Sequence, residues 1–565
     1  MPSRVVAAED PELPVPALPP GAGAEEREFQ DLEIRVWQHL FRLSPASAVF
    51  LGLHAYDGRL PDLSGPATSR WVSEARNLLH QLQRVPAKSL PGRRALDRDL
   101  LVLSLEGGLF DLETYPYLDR LPLWYIFPLS LIPYVSRPYA PWAQRAQAIV
   151  RLWEGIPGFL RTAKSRLRGP LPEPFLRVGR EMGAGLPSHF REVGDLLQRE
   201  VPEYSGPASR ALKDALFSVQ EFLDHLNTSS SDGPETDGRG FALGPERYQE
   251  LLRVREGVKT PWRGLLDEGW RDLRRNQERL QELARRLHPP TDAPGAARRL
   301  AGDHPNAEGL LEEARQFTRE VRQFVLDQQL VSIPGPDACR VEETPPFERA
   351  FSTASLNPPG PFEPQISEGI YYVTPVDPAW TPEQQRQWLE YFNRPLFRNV
   401  TAHEVYPGHY LQFLHFRASA DTLTARSYVS SAFTEGWAHY AEQLMVEAGF
   451  HGESPEAEIA QVQDALLRDV RLLVSVGLHA GGMSLEEATR LFQTEAYLER
   501  FPAEREALRG TFNPEYFCYT LGKLEILRAR HRWRERNPRS PLREFHDRLL
   551  SFGAPPVGLL ASLLE

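Results

Sequence analysis

Fifty-one prolines are spread through 565 residues, and the apolar spacing between them is helical nearly everywhere it can be read. Proline has no backbone N–H and its ring clashes with the preceding turn, so an interior proline ends or kinks a helix. The chain is therefore expected to build many helices of moderate length and not one regular bundle. Over 29–43 the apolar positions are Phe29, Leu32, Ile34, Val36, Leu40 and Phe41, and Ser44-Pro45 stops the run. The same period is read over 71–82, 95–112, 143–164, 207–226 and 246–254. The longest run, 262–287, alternates charge sign over an apolar stripe, as a solvated outer face does. Residues 227–240 (NTSSSDGPETDGRG) read as a loop.

The chain changes character near Ser332. From there to Pro364 it is Pro-rich and irregular, and then comes the best strand candidate, 369–373 (GIYYV), closed by Pro375. Helices resume at about Thr381. The expected fold is mainly α with a small β element just upstream of the chemistry. Residues 1–25 are a flexible Pro/Ala-rich tail, 26–331 a helical N-terminal region and 332–565 the metal-binding region of one continuous architecture.

Composition narrows the function. An apolar share of 41% and a charged share of 25% suit a globular protein with a substantial core. The net charge of -11 argues against a broadly basic nucleic-acid surface. Two cysteines, Cys339 and Cys518, cannot make a disulfide framework or a Cys-rich metal site. The start of the chain lacks a secretory apolar run, and 121–136, broken by three prolines, is too short to span a bilayer. The expectation is a cytoplasmic protein without a membrane or nucleic-acid partner; a homodimer is compatible with the sequence.

The chemistry concentrates in His403-Glu404-Val405-Tyr406-Pro407-Gly408-His409. A metalloprotease His-Glu-x-x-His places two imidazoles one helical turn apart and lets the Glu reach a water on the metal. Here the second His follows after six residues, which on an ideal helix turns it away by roughly 120°. Pro407 is expected to kink or bulge the turn, and Gly408 to give the freedom that returns His409 toward His403. Pattern alone leaves a metal site and a structural His-Glu pair equally open.

A second segment tips the balance. In Phe433-Thr434-Glu435-Gly436-Trp437-Ala438-His439-Tyr440-Ala441-Glu442, the polar residues Glu435, His439 and Glu442 fall at i, i+4 and i+7 on an otherwise apolar helix. A carboxylate from this helix completes a two-His, one-Glu site with an open fourth position.

HEVYPGHYLQ with TEGWAHYAE resembles the bacterial domain-of-unknown-function family 885, a group expected to be gluzincin-type zinc metallopeptidases. Softer matches run through LSPASAVFLGLHAYDGRLPDLS, ALDRDLL, LGPERYQELLR, GIYYVTP and YTLGKLEILRAR. The resemblance implies a large gluzincin-like helical fold with a central cleft and one Zn(2+) per chain. His403, His409 and Glu435 would be its ligands. Glu404 would polarise the water as general base and then protonate the leaving amine. The GIYYVTP strand would line the cleft and hold an extended short peptide by its backbone. His439 stands where an aliphatic residue is usual, so it either touches the site or packs beside it with Glu442.

Other residues are weighed on their own chemistry. An oxyanion needs a further donor, for which Tyr519 is the candidate, with Gly522 permitting close helix approach. Lys523 or Arg530 could hold a substrate carboxylate. Tyr371 and Tyr372 alternate faces, so at most one faces substrate. His54 with Asp57 forms a polar cluster, while His415 and His479 read as structural. The leading expectation is a zinc peptidase acting on short peptides. The alternatives are a metal-dependent hydrolase of a non-peptide amide or other small substrate, and a catalytically inactive helical scaffold.

Overall fold

A computed structural model describes residues 10–18, 20–231, 238–345, 349, 352–363, 368–419, 421–450, 452 and 454–564. Residues 1–9 of the expected tail and 232–237 of the expected loop lie outside them.

The protein is mainly helical, with one small sheet. The helices that matter below are α1 (Ala24–Leu43), α2 (Trp142–Arg166), α3 (Pro245–Glu256) and α4 (Trp262–Arg286). After the sheet come α5 (Arg394–Glu404), α6 (His409–Ser419), α7 (Ser431–Glu447), α8 (Pro455–Val476), α9 (Arg500–Phe512) and α10 (Cys518–Arg536). Each expected helical run falls on a helix, and those read from 29 and 71 begin earlier, at Ala24 and Gly65. The 95–112 run is divided: an α-helix covers Arg94–Leu109 and a π turn covers Phe110–Thr114. Pro157 lies inside α2, against the rule that prolines end helices here.

Two strands sit within the stretch read as irregular. β1 (Ala338–Glu343), β2 (Ala354–Asn357) and β3 (Glu368–Val373) form a sheet of order β1-β3-β2. β1 runs parallel to β3 with Ala338 opposite Glu368, and β2 antiparallel with Ala354 opposite Val373. Such short strands, in a Pro-rich context, are specified by their pairing and not by their own propensity. The expected strand is the central one, so both of its edges are taken.

The tail also differs from expectation in its second half. Asp10 pairs with Arg42, and the carbonyls of Pro11 and Pro16 accept from Gln38 (3.1 Å) and Gln30 (3.0 Å) on α1. Leu13 is buried. A Pro-rich segment has carbonyls without internal partners, and the side-chain amides of α1 supply them.

The N-terminal helices are tied to the rest by buried polar contacts. Glu33 on α1 accepts from Arg94 (2.9 Å) and from the Thr424 hydroxyl (2.6 Å), and the Trp37 indole donates to the same hydroxyl (3.0 Å). α4 packs along α8, so residues on either side of Ser332 share one core.

Candidate metal centre

The HEVYPGH segment is two helices and not one kinked helix. α5 ends at Glu404 and α6 begins at His409. Between them the Gly408 N–H bonds the Ala402 carbonyl (3.0 Å) and the Leu411 N–H bonds that of Val405 (3.2 Å). A Cβ on Gly408 would lie 1.8 Å from the His403 carbonyl oxygen, so only glycine lets the chain fold back this tightly. The Trp437 indole on α7 fastens the turn by donating to the Pro407 carbonyl (2.9 Å). The two imidazoles consequently meet edge to face, with centroids 4.7 Å apart.

α7 brings the carboxylate. Its start is fixed by Ser430, whose hydroxyl caps Phe433 N–H (2.9 Å) and donates to buried Glu256 at the end of α3 (2.6 Å). Glu256 also accepts from Ala432 N–H (3.0 Å). One turn later Glu435 Oε2 lies 3.6 Å from Nε2 of both His403 and His409. Donor atoms of the three residues all lie within 4.8 Å of one another. Zinc–ligand bonds of about 2.1 Å at tetrahedral angles separate donors by roughly 3.4 Å, so the set fits one divalent ion.

The ring orientation fits as well. His403 Nδ1 lies 2.6 Å from Glu442 Oε1, which makes Nδ1 the protonated nitrogen and turns the Nε2 lone pair toward Glu435 and His409. Glu442 is itself fully buried, and its other oxygen accepts from Arg468 (2.9 Å) and Asn399 (3.2 Å). His439 Nδ1 approaches that oxygen at 3.4 Å. His439 thus packs against Glu442 and lies outside the three-residue donor set. Burial would raise Glu435, but hydrogen bonds to His403 and His409 outweigh it and hold the carboxylate well below its usual range. With no cation at Nε2, burial lowers the His403 imidazole while Glu435 and Glu442 lift it to about 9, and a divalent ion bound there would take the place of the Nε2 proton.

Glu404 stands beside this set. Its Oε2 accepts from the Leu356 N–H of β2 (3.0 Å), and burial raises its carboxyl even though His409 and His403 pull it down. β1 and β2 are both edge strands, and the contact lies on the outer edge of β2. β2 has β3 on one side, and Leu356 N–H points out of the other side to Glu404. GIYYVTP, expected to hold an extended peptide, is the central strand and has no edge to offer.

The remaining candidates separate. Tyr519, on α10, has Glu435 among the charges acting on its hydroxyl, and its ring is flanked by Arg471 (5.1 Å) and Arg468 (5.8 Å). α10 approaches α7 where Gly522 meets Gly436; a Cβ on Gly522 would lie 1.8 Å from the Ala432 carbonyl oxygen. Lys523 is buried at 1% exposure and paired with Asp272 (3.1 Å), and its charge acts on His439. Arg530, eleven residues past Tyr519 and so roughly 16 Å along the helix, pairs with Glu447 (2.7 Å) at the far end of α7. Each is thus committed to a carboxylate partner. Tyr371 is fully buried with its hydroxyl 3.4 Å from that of Thr401, and Tyr372 is buried on the opposite face, where it acts on Arg137. Both tyrosines belong to the sheet's packing.

His415 and His479 bond the carbonyls of Ser332 (2.7 Å) and Gly510 (2.9 Å), as structural histidines do. His54 lies 3.2 Å from Asp57 and stacks on Tyr139, apart from the donor set. Sequence reasoning missed Arg468, Asn399 and Arg471. The signal was present in α8, where Arg468, Asp469 and Arg471 interrupt the apolar LLRDVRLLVSV; charges there need buried partners.

A cavity of about 910 Å³ lies among the described residues, and its lining includes none of the three donors. Its wall takes Phe413 from α6, one turn past His409, the 358–361 segment after β2, Arg509 from the last turn of α9, and Asn513 and Glu515 from the α9–α10 connection.

Fold and site define a mainly α-helical protein with a two-histidine, one-carboxylate cluster beside the free edge of a three-stranded sheet. Residues 45–564 match the family model described as bacterial protein of unknown function (DUF885), and the chain belongs to that family. No curated protein matches it. Among solved structures it is similar to a "putative lipoprotein of unknown function" from Shewanella oneidensis, with 22% identity and a TM-score of 0.78 over 95% of this chain and 100% of that one. It is also similar to a "putative lipoprotein" from Colwellia psychrerythraea, with 16% identity and a TM-score of 0.77 over 96% of this chain and 98% of that one. These likenesses establish a shared fold. No helix among the described residues is long and apolar enough to cross a membrane.

Proposed function

We propose that the protein is a zinc-dependent metallopeptidase of gluzincin-like architecture that hydrolyses short peptides, with one zinc ion per chain. The observation that carries this reading is the convergence of His403, His409 and Glu435 within 4.8 Å, with Glu404 next to them. A zinc ion held by that set supplies Lewis-acid polarisation and brings the pKa of a water to about 7. Glu404 takes a proton from the attacking water as its oxygen joins the carbonyl carbon. The same carboxyl gives that proton to the amide nitrogen as the C–N bond breaks, leaving a carboxylate and an amine. Tyr519 is the donor for the oxygen that gains negative charge. The outer edge of β2 supports a peptide over other amides, because an extended backbone can pair there beside Glu404.

Glu404→Gln is expected to stay folded and zinc-loaded while losing hydrolysis of a short-peptide pool, and His403→Ala to lose zinc. Full zinc occupancy in His403→Ala would overturn the ligand set. Protein that remains metal-free when purified without chelator would favour the inactive scaffold. Because two similar solved proteins are described as lipoproteins, an envelope-anchored location is the alternative to the cytoplasmic one, and fractionation of cells separates the two.

A further inference from the structure

With Lys523 and Arg530 committed elsewhere, a different cation is left to meet a substrate's charge. Three arginines line the large cavity: Arg137, Arg255 and Arg509. Arg137 is held by Glu363 (3.2 Å) and the Phe50 carbonyl (2.6 Å). Arg255 bonds both Asp111 (2.6 Å) and Glu515 (3.0 Å), which accounts for the two carboxylates in the wall. Arg509 has no hydrogen bond or ion pair with any described residue. Its guanidinium stacks on the Tyr516 ring at 5.1 Å, and Glu506 acts on it only at longer range, without a hydrogen bond. The nearest carboxylate on its own helix, Glu506, is engaged by both donor nitrogens of Arg471 (2.8 Å each) and by the Tyr516 hydroxyl.

A half-buried guanidinium in a wall made largely of Leu, Pro, Phe and Trp side chains forfeits hydration without gaining an acceptor, unless an anion arrives from outside. The position suits such an arrival. Arg471 lies 5.1 Å from both the Tyr516 and the Tyr519 rings, so Arg509, Tyr516, Arg471 and Tyr519 form a chain of contacts from the cavity wall to the tyrosine on which Glu435 acts. Phe413 closes the same space from the helix that begins with His409. A cavity of this size lies within the range that holds small ligands.

We infer that Arg509 binds the free C-terminal carboxylate of the peptide and so makes the protein a carboxypeptidase-type exopeptidase. This rests on the peptidase reading for its chemistry, although the binding role can be tested apart from it. Guanidinium and carboxylate match as two parallel N–H···O bonds, which an uncharged amide terminus cannot reproduce. The apolar remainder of the wall receives the side chains on the departing side of the scissile bond.

The test uses two pools of tripeptides, identical except that one carries free carboxylates and the other amidated C-termini. Full-length zinc-loaded protein is expected to cleave the acid pool with kcat/KM roughly 100-fold above the amide pool. Arg509→Gln brings the acid-to-amide ratio toward one, mainly through KM, and Arg509→Lys restores part of it. Equal cleavage of both pools by wild type, or an unchanged ratio in Arg509→Gln, overturns the inference. Retention of the same pools on zinc-loaded Glu404→Gln gives a second readout that needs no turnover. Selective retention of acids that vanishes with Arg509→Gln supports the carboxylate anchor, and equal retention sinks it. If neither pool is cleaved yet retention is acid-selective, the peptidase reading fails and the anchor stands.

Discussion

A neutral imidazole carries one N–H and one lone pair, so an acceptor at one nitrogen decides what the other can do. Glu442 does this for His403, and Arg468 and Asn399 hold Glu442 in turn. Glu442→Gln is therefore expected to weaken zinc binding about 10- to 100-fold, measured by competition with a chelator of known affinity. Zinc affinity equal to wild type would remove Glu442 from the centre. The donors themselves were readable from the sequence, because His-Glu-x-x-Pro-Gly-His and the following Glu place rare residue types at fixed offsets. Glu442 was readable as a neighbour through its helical spacing from Glu435. Lys523 and Arg530 misled because a cation's spacing along α10 does not say which side of that helix meets α4 and which meets the cavity.

At the scale of elements, the centre depends on two close approaches of backbone to backbone. One is the turn at Gly408; the other is the α7–α10 crossing at Gly436 and Gly522, which keeps Tyr519 near Glu435. Gly522→Ala forces a methyl group against the Ala432 carbonyl oxygen, and the helices must part. The expected cost is on the order of 3 kcal/mol, seen as a lower midpoint in urea, with Gly522→Ala at wild-type stability contradicting the crossing. That Gly522 allows such an approach was legible in YTLGK, and the helices were legible from their period. β1 and β2 were not, because four to six residues without a strong alternating pattern become strands only when β3 lies between them. The break at Pro407 was expected as a kink; what the sequence lacked was the information that Trp437 would fasten the turn from another helix.

For the molecule as a whole, burial of neutral histidine sets an acid limit. His479 and His546 are fully enclosed, and desolvation lowers each to about 4. In the unfolded chain they titrate near 6.5. Between those values the unfolded chain takes up protons that the folded protein refuses, so their stabilisation is complete above about pH 6.5 and drains away as pH falls toward 4. A melting temperature that declines steadily from pH 7 to 4.5, less steeply in His479→Asn, is the expected record; a flat profile would count against it.

The family match begins at residue 45, inside the molecule in every physical sense. α1 precedes it, yet Phe29, Val36 and Phe41 lie in the core, and Glu33 and Trp37 satisfy Thr424 between the two metal-bearing segments. A gene fragment started at the family boundary would express a chain whose apolar floor is open to water and whose Arg94 has lost a carboxylate partner. α1 is thus part of the expressible unit, and recombinant work that trims it is expected to yield aggregates instead of a folded protein.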